Sequence, residues 1–466
     1  MGAAPIPAEI WRLAVVIAFG AFMSQLDTSV VNVGLDRIAG DLDSDLGEVQ
    51  WVANAYLIAL GVSLPCCGWL ARRLGAGRLW LWSLLAFTAS SALCAAAPSV
   101  GWLVALRVVQ GLAAGLLVPA GQTVLGRPVG PERLGRVMAT LGIAVTLAPA
   151  LGPALGGLLL EAGSWPWLFV VNVPLGALAL ALGARFVPRG EPAPAGRLDG
   201  GGLALAAIGV PLVVYGATAC GDAGRLTAEA AIPVAAGLIA LAAFVVRSRR
   251  VAHPILDLGL FADRTFAAAG ATAACAGAAM FGGGILLPLL FQIGRGEGVV
   301  ATGLLLVSLG AGTAAALPLA GRLVDRFGGG VVCLAGATGT ALTTVPFALV
   351  DLDADGLLLQ ALLALRGAAI ALAVMPATTA AYKAVTPDEL PDATTLVNIL
   401  LRVGGALGGA LFTVVLAARL PSGTQAAFHH AFWWLTAASA LGLLSALWLT
   451  AAERSARPRA PAPTAA

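Results

Sequence analysis

The stretch FMSQLDTSVVNVGL, residues 22–35, carries one ionisable group, Asp27, inside an apolar run that begins at Leu13. In a run long enough to cross a bilayer, such an acid costs roughly 2.5–3.5 kcal/mol on insertion scales. A carboxylate held there is expected either to complete a buried ion pair or to take up and release a proton. When the apolar runs are marked along the chain, Asp27 is the only acid inside one; the others map to loops, run ends and the tail. The cations away from the ends of the runs are Arg107, Arg366 and Arg402. Burial favours the neutral carboxyl and an adjacent guanidinium favours the charged one. An acid paired with one of these arginines would therefore change its hold on a proton as its surroundings change.

The elements that must position these groups follow from composition. The chain has 466 residues, 59% of them hydrophobic and 11% charged, against about 25% charged in an ordinary soluble domain. Apolar runs of about 20 residues recur from end to end, which marks an all-α polytopic membrane protein. Breaking the runs at charged and Gly/Pro clusters predicts fourteen spans, near 13–35, 49–70, 79–97, 101–123, 137–159, 166–187, 200–219, 229–246, 266–292, 301–321, 331–350, 357–381, 393–417 and 431–452. The first run is read as a retained helix, because MGAAPIPAEIWRL has no basic cluster and no clear cleavage site.

Loop charges set an expected orientation. With the N-terminus inside, Arg37, Arg225, Arg295 and Arg419 fall outside, and the remaining loop Lys and Arg residues fall inside. The acidic runs DLDSDLGE (41–48) and DLDAD (351–355) fall outside. This meets the positive-inside rule with both termini cytoplasmic, in a cell membrane.

GWLARRLGAGRLWL (68–81) and GRLVDRFGGGVVCL (321–334) echo one another, each between two spans. Such repeats suggest two related six-helix halves. The expected organisation is a six-helix bundle over 1–190 and two linker helices with flanking loops over 191–263. A second six-helix bundle follows over 264–452, then a disordered cytoplasmic tail over 453–466. Helix one would run outward and place Asp27 about 12 Å from its outer end; helix four would run inward and place Arg107 about 9 Å from its own. The two lie at similar depth in one half, so they are expected neighbours.

Six further stretches carry a resemblance. LDTSVVNVGL (26–35), WVANAYLIALGVSLPCCGWL (51–70), GWLARRLGAGR (68–78), LVALRVVQGLAAG (103–115), APALGPALGG with SWPWLFVVNVPLG (148–157, 164–176) and NILLRVGGALGGA (398–410) occur in order along the fourteen spans. Together they resemble the fourteen-helix drug:proton antiporters of the major facilitator superfamily, the EmrB/QacA-type exporters. The resemblance implies a major facilitator fold and proton-coupled export. It implies proton coupling at Asp27 and Arg107, the latter in the fourth-helix motif with Gln110 and Gly111. It also implies gating at Gly152, Pro153, Gly156 and Gly157 of helix five, and at Gly68, Arg72, Arg73, Asp325 and Arg326 of the two loop motifs. Proline removes a backbone donor and kinks a helix, and glycines let a neighbouring helix approach closely. The sequence departs from the family at Arg72, where the loop motif usually carries an acid that joins an Arg and a helix N-terminus. Arg72 cannot fill that role, whereas the second copy keeps Asp325 and Arg326. A second departure is Pro166, where the family often shows an Arg.

The residues expected to line a substrate cavity are Gln25, Tyr56, Gln110, Gln122, Asn172, Tyr215, Phe281, Gln292, Asn398, Arg402 and Trp433. Arg366 and Arg402 are read either as bonding backbone carbonyls or as facing a cavity that accepts neutral or anionic compounds. ATP drive is not expected: a phosphate-binding loop needs Gly-Lys-Ser/Thr, and Lys383 sits in AAYKAV. No enzyme motif, cofactor or metal site is expected, and the six cysteines read as small packing residues. The expected partners are protons, a small molecule and the lipid bilayer, with no nucleic acid and a monomer as the working unit. The competing functional readings are a same-fold transporter of a specific metabolite or lipid, and a non-transporting membrane sensor or scaffold.

Overall fold

The structure, a computed structural model, describes residues 6–130, 133–193, 196–223, 227–252, 254–349, 351 and 355–456. Its long elements are all helices. They are α1 (Ala8–Val33), α2 (Gly47–Leu74, with a 3-10 turn at Leu64–Cys66), α3 (Ala76–Ala95), α4 (Val100–Gly126), α5 (Leu134–Ala162), α6 (Trp167–Phe186) and α7 (Gly200–Ala223). The rest are α8 (Ala228–Ser248), α9 (Arg264–Gly294), α10 (Val299–Phe327), α11 (Gly329–Ala348), α12 (Gly356–Lys383), α13 (Leu390–Ser422) and α14 (Thr424–Ala456). Among the described residues, 12 of these are long and apolar enough to cross a membrane. In α5 and α7 the described apolar stretches are shorter, Leu134–Ala148 and Gly200–Val213. Fourteen spans were expected. The difference falls on two helices some of whose later side chains lie outside the described residues.

The helices pair in the same way twice. In the first half α1 packs on α5 and α6, α2 on α4, and α3 on α4 and α6; in the second half α9 packs on α13 and α14, α10 on α12, and α11 on α12 and α14. The halves meet where α5 crosses α10 and where α13 meets α2 and α4. The linker helix α7 lies against both α2 and α13, with α8 packed on α7.

Side-chain caps start several helices: Asp45 accepts from Glu48 N, Ser99 from Trp102 N, Thr227 from Ala230 N and Asp263 from Phe266 N. The sequence echo is a shared turn. Gly75 (φ 88°) and Gly328 (φ 92°) end α2 and α10 and start α3 and α11. Only glycine takes this left-handed backbone without strain. The turn puts Arg72 and Asp325 at corresponding places three residues upstream. Helix α14 runs on through Ala456, so the tail expected from 453 begins as helix, and its remainder, 457–466, lies outside the described residues.

Candidate functional site

Asp27 and Arg107 meet. Arg107 Nη1 donates to Asp27 Oδ2 at 2.5 Å, and both residues are 1% exposed. The other carboxylate oxygen accepts from Asn172 Nδ2 at 2.7 Å and Gln110 Nε2 at 3.0 Å. Arg107 also donates to Gln110 Oε1 (2.8 Å) and, through Nε, to the Val52 carbonyl (2.9 Å). The Tyr56 ring lies 4.0 Å under its guanidinium, and the Tyr56 hydroxyl donates to the Ser24 carbonyl. Helices α1, α2, α4 and α6 thus converge on one carboxylate, and Ser91 of α3 accepts from Asn172 behind it. Charge-assisted bonds of this kind are the strong ones. Oδ1 accepts from two donors and Oδ2 from one, so three of the carboxylate's roughly four acceptor sites are taken.

The second half buries a cation differently. Arg366 follows Ala364-Leu365 on α12 as Arg107 follows Ala105-Leu106 on α4. It is 0% exposed. It donates to the Thr344 hydroxyl and to the Ala279 carbonyl, and its Nε has no partner. No carboxylate is within ion-pair distance among the described residues. Gly283 of α9 leaves the space its guanidinium fills: a Cβ there would come within 2.6 Å of Nη2.

Two ion clusters join the halves at one end. Asp325 of α10 accepts from the backbone N–H groups of Gly135 (3.0 Å) and Arg136 (3.3 Å), at the first turn of α5. It also pairs with Arg136 Nε at 3.1 Å and Lys383 Nζ at 3.4 Å. A helix start leaves unpaired N–H groups and partial positive charge, which a carboxylate satisfies. At the other cluster Arg72 donates to Asp392, in the first turn of α13, at 2.6 Å. Gly68 makes room, since a Cβ there would lie 2.1 Å from Asp392 Oδ1. Between the clusters, Thr123 and Thr394 are hydrogen-bonded, and Gln122 Oε1 accepts from Asn398 (2.7 Å) and from the Tyr382 hydroxyl (3.1 Å).

The model of the family described as Major Facilitator Superfamily matches residues 17–409 and 274–465. The chain belongs to the major facilitator superfamily. It is 37% identical over 409 residues to a multidrug resistance protein B homolog of Mycobacterium tuberculosis, covering 87% of this chain and 76% of that one. It is 29% identical over 438 residues to the probable multidrug resistance protein EmrY of Escherichia coli, covering 90% and 82%. These relatives are of the EmrB/QacA type. The fold is similar to that of the proton:xylose symporter XylE, with a TM-score of 0.64 at 16% identity, covering 94% of this chain and 95% of that one. The chain is accordingly a multi-pass cell-membrane transporter and not an enzyme.

Within this superfamily fold, several expectations need correction. Asp27 is not the only buried carboxylate: Asp392 (5% exposed) and Asp199 (6%) are buried too. Helix α13 begins three residues earlier than the apolar run suggests, which takes in Asp392. Arg72 is not idle, because the acid it needs stands on the facing helix. Gln110 and Asn172 are spent on Asp27 and are fully buried, so in this conformation they line no cavity. Gln122 and Asn398 bond each other in the seam between the halves. Tyr215 is exposed on α7 with Ile208, and Trp433 on α14 with Leu441, Leu444 and Trp448. Phe281 packs over Gly405 while remaining 42% exposed, Gln292 is exposed at the end of α9, and Gln25 is half-buried on α1.

Of the helix-five glycines, Gly152 packs on Ser29 and Gly156 on Val30 and Val33 of α1. Gly157 has open space, being turned off the face that Gly152 and Gly156 share. Helix α5 is continuous through position 153, where the Pro153 side chain lies outside the described residues. Arg73 stacks on Trp69 and Arg326 on Phe327. Tyr382 and Lys383 were missed because nothing in AAYKAV marks them as interface residues.

Proposed function

We propose that this transporter exports drugs, antibiotics or related small organic compounds across the cell membrane, in exchange for protons, by alternating access. The observation that carries the reading is the buried Asp27–Arg107 pair, closed in by Gln110, Asn172 and Tyr56. It is a titratable group with two amide donors, at the depth where such a cycle needs one. Asp27 takes a proton on one side of the membrane and gives it up on the other. The halves 1–190 and 264–452 rock about their seam. The clusters at Arg72–Asp392 and Asp325–Arg136 close the end that bears the basic loops, while Gly152 and Gly156 let α5 slide closely along α1. Fourteen spans, cytoplasmic termini and a monomeric working unit complete the reading, supported by the loop charges and by relatives named as multidrug resistance proteins.

The test uses inverted vesicles from a pump-deficient bacterial host and a susceptibility panel in the same host. At least one panel compound should accumulate when a pH gradient is imposed and should stop on its collapse. Accumulation that ignores the gradient would leave transport without proton coupling. No accumulation of any compound would favour a sensor or scaffold.

A further inference from the structure

The backbone at Arg72 is held from outside its own turn. Helix α6 ends where the Val187 N–H donates to the Gly183 carbonyl. Residues 188–193 then run as a strap along the turn between α2 and α3. The Arg189 carbonyl accepts from the Arg78 N–H at 3.1 Å, and the Ala193 N–H donates to the Arg72 carbonyl at 2.8 Å. Helix ends leave carbonyls and N–H groups without partners inside the helix. The strap supplies one partner to each: a carbonyl in the last turn of α2 and an N–H in the first turn of α3. Two glycines admit it. A Cβ at Gly77 would lie 1.8 Å from the Pro188 carbonyl oxygen, and one at Gly75 would lie 2.7 Å from the carbonyl oxygens of Arg189 and Gly190.

The second half caps the corresponding turn with a side chain. Glu453 of α14 accepts from the N–H groups of Gly329 (3.0 Å) and Gly330 (2.9 Å), at the start of α11. Helix α14 is the last of its half, as α6 is of the first. Each half thus caps its loop turn from the end of its last helix, one with a carboxylate and one with departing backbone. In the first half the cap grips a gating residue itself. The carbonyl that the Ala193 N–H holds belongs to Arg72, whose guanidinium reaches Asp392 across the seam at 2.6 Å. The chain goes on to form α7, which lies against both α2 and α13. Arg402, one turn beyond Asn398 on α13, is half-buried and adds no hydrogen bond or ion pair among the described residues. Resting on the reading of Arg72–Asp392 as a closure of the basic-loop end, we infer that the strap 188–193, admitted by Gly77, is a positioning element. It sets Arg72 for its pairing with Asp392 and so ties the linker helices to closure of that end.

The experiment uses the purified full chain carrying Thr123→Cys as a reporter. Position 123 is fully buried at the seam against Thr394, so a water-soluble maleimide reaches it when the basic-loop end opens. Labelling of its peptide is followed by mass spectrometry. Gly77→Ala puts a methyl in the strap's place while favouring α3, since alanine is the better helix former. It should raise the labelling rate roughly three- to fivefold, the size of one net hydrogen bond. Combined with Arg72→Ala, it should add nothing to the rise that Arg72→Ala gives alone, because the strap acts through Arg72. If Gly77→Ala folds poorly, Ala193→Pro, which removes the donor to the Arg72 carbonyl, serves instead. A wild-type rate in the strap variant, or two rises that multiply in the double variant, overturns the inference. A wild-type rate in Arg72→Ala would overturn the underlying reading of the pair as a closure instead, so the two failures are distinguishable.

Discussion

Arg107 and Arg366 follow the same Ala-Leu pair on corresponding helices, and both are fully buried. Arg107 faces a carboxylate and two amides; Arg366 faces a hydroxyl, a carbonyl and the glycine Gly283. The fold therefore tolerates the cation in either half, and the acid is what differs. The clusters between the halves teach a related lesson. In one, the loop-motif acid Asp325 caps α5; in the other, the acid has moved into the first turn of α13 as Asp392, and the loop supplies Arg72. Each cluster keeps a carboxylate at a helix N-terminus beside an arginine, whichever strand of chain brings it.

The largest effect should come from Arg107→Ala. It leaves Asp27 buried without its counter-charge, a change expected to cost about 3–5 kcal/mol, read as a lowered thermal unfolding midpoint in detergent, with coupling lost. Next in size is the Arg72–Asp392 cluster. Arg72→Asp sets two carboxylates against each other. It should shift the balance toward opening of the basic-loop end by roughly tenfold, about 1.4 kcal/mol, measured by accessibility labelling there. Arg72→Asp combined with Asp392→Arg should return it toward wild type. A double variant no better than the single would show that the pair does not hold the halves together.

Arg366→Met should change little. Arg366 has hydrogen bonds but no ion pair to lose, so the fold should be as stable as wild type or more so, with export retained. A loss as large as that of Arg107→Ala would mean that Arg366 meets an acid in another conformation, and the contrast between the halves would fail. The smallest effect concerns the α7–α8 pair. Burial pushes the Asp199 carboxyl up, but the Arg247 hydrogen bond, the N–H groups of Gly202 and Gly201 and the Arg247 charge outweigh it and hold the carboxyl below the usual range. A carboxyl lowered on folding stabilises above its unfolded value, near about 3.9, and that contribution fades as pH falls through the folded value. Asp199→Ala should thus lower the unfolding midpoint slightly at neutral pH and not at strongly acid pH.

The helices and the Asp27–Arg107 meeting were legible in the sequence because both rest on one-dimensional counts: apolar length and depth at 1.5 Å per residue. Gln110 was legible too, three residues from Arg107 and hence on its face, although it had been assigned to a cavity. Asn172 had no such signal, since the break before it brings α6 in at an angle only the fold specifies. Arg72 and Asp392 are separated by most of the chain, and only the packing of α13 on α2 reveals that they pair.

The central claim is that Asp27 carries the proton, and Asp27→Asn tests it most directly. Asparagine keeps the shape and cannot titrate, so the protein should fold and reach the membrane. Accumulation of an exported compound in inverted vesicles under an imposed pH gradient should then be lost, while Asp27→Glu keeps part of it. Full gradient-driven accumulation by the Asp27→Asn protein would contradict the account, because the proton would then travel by another group.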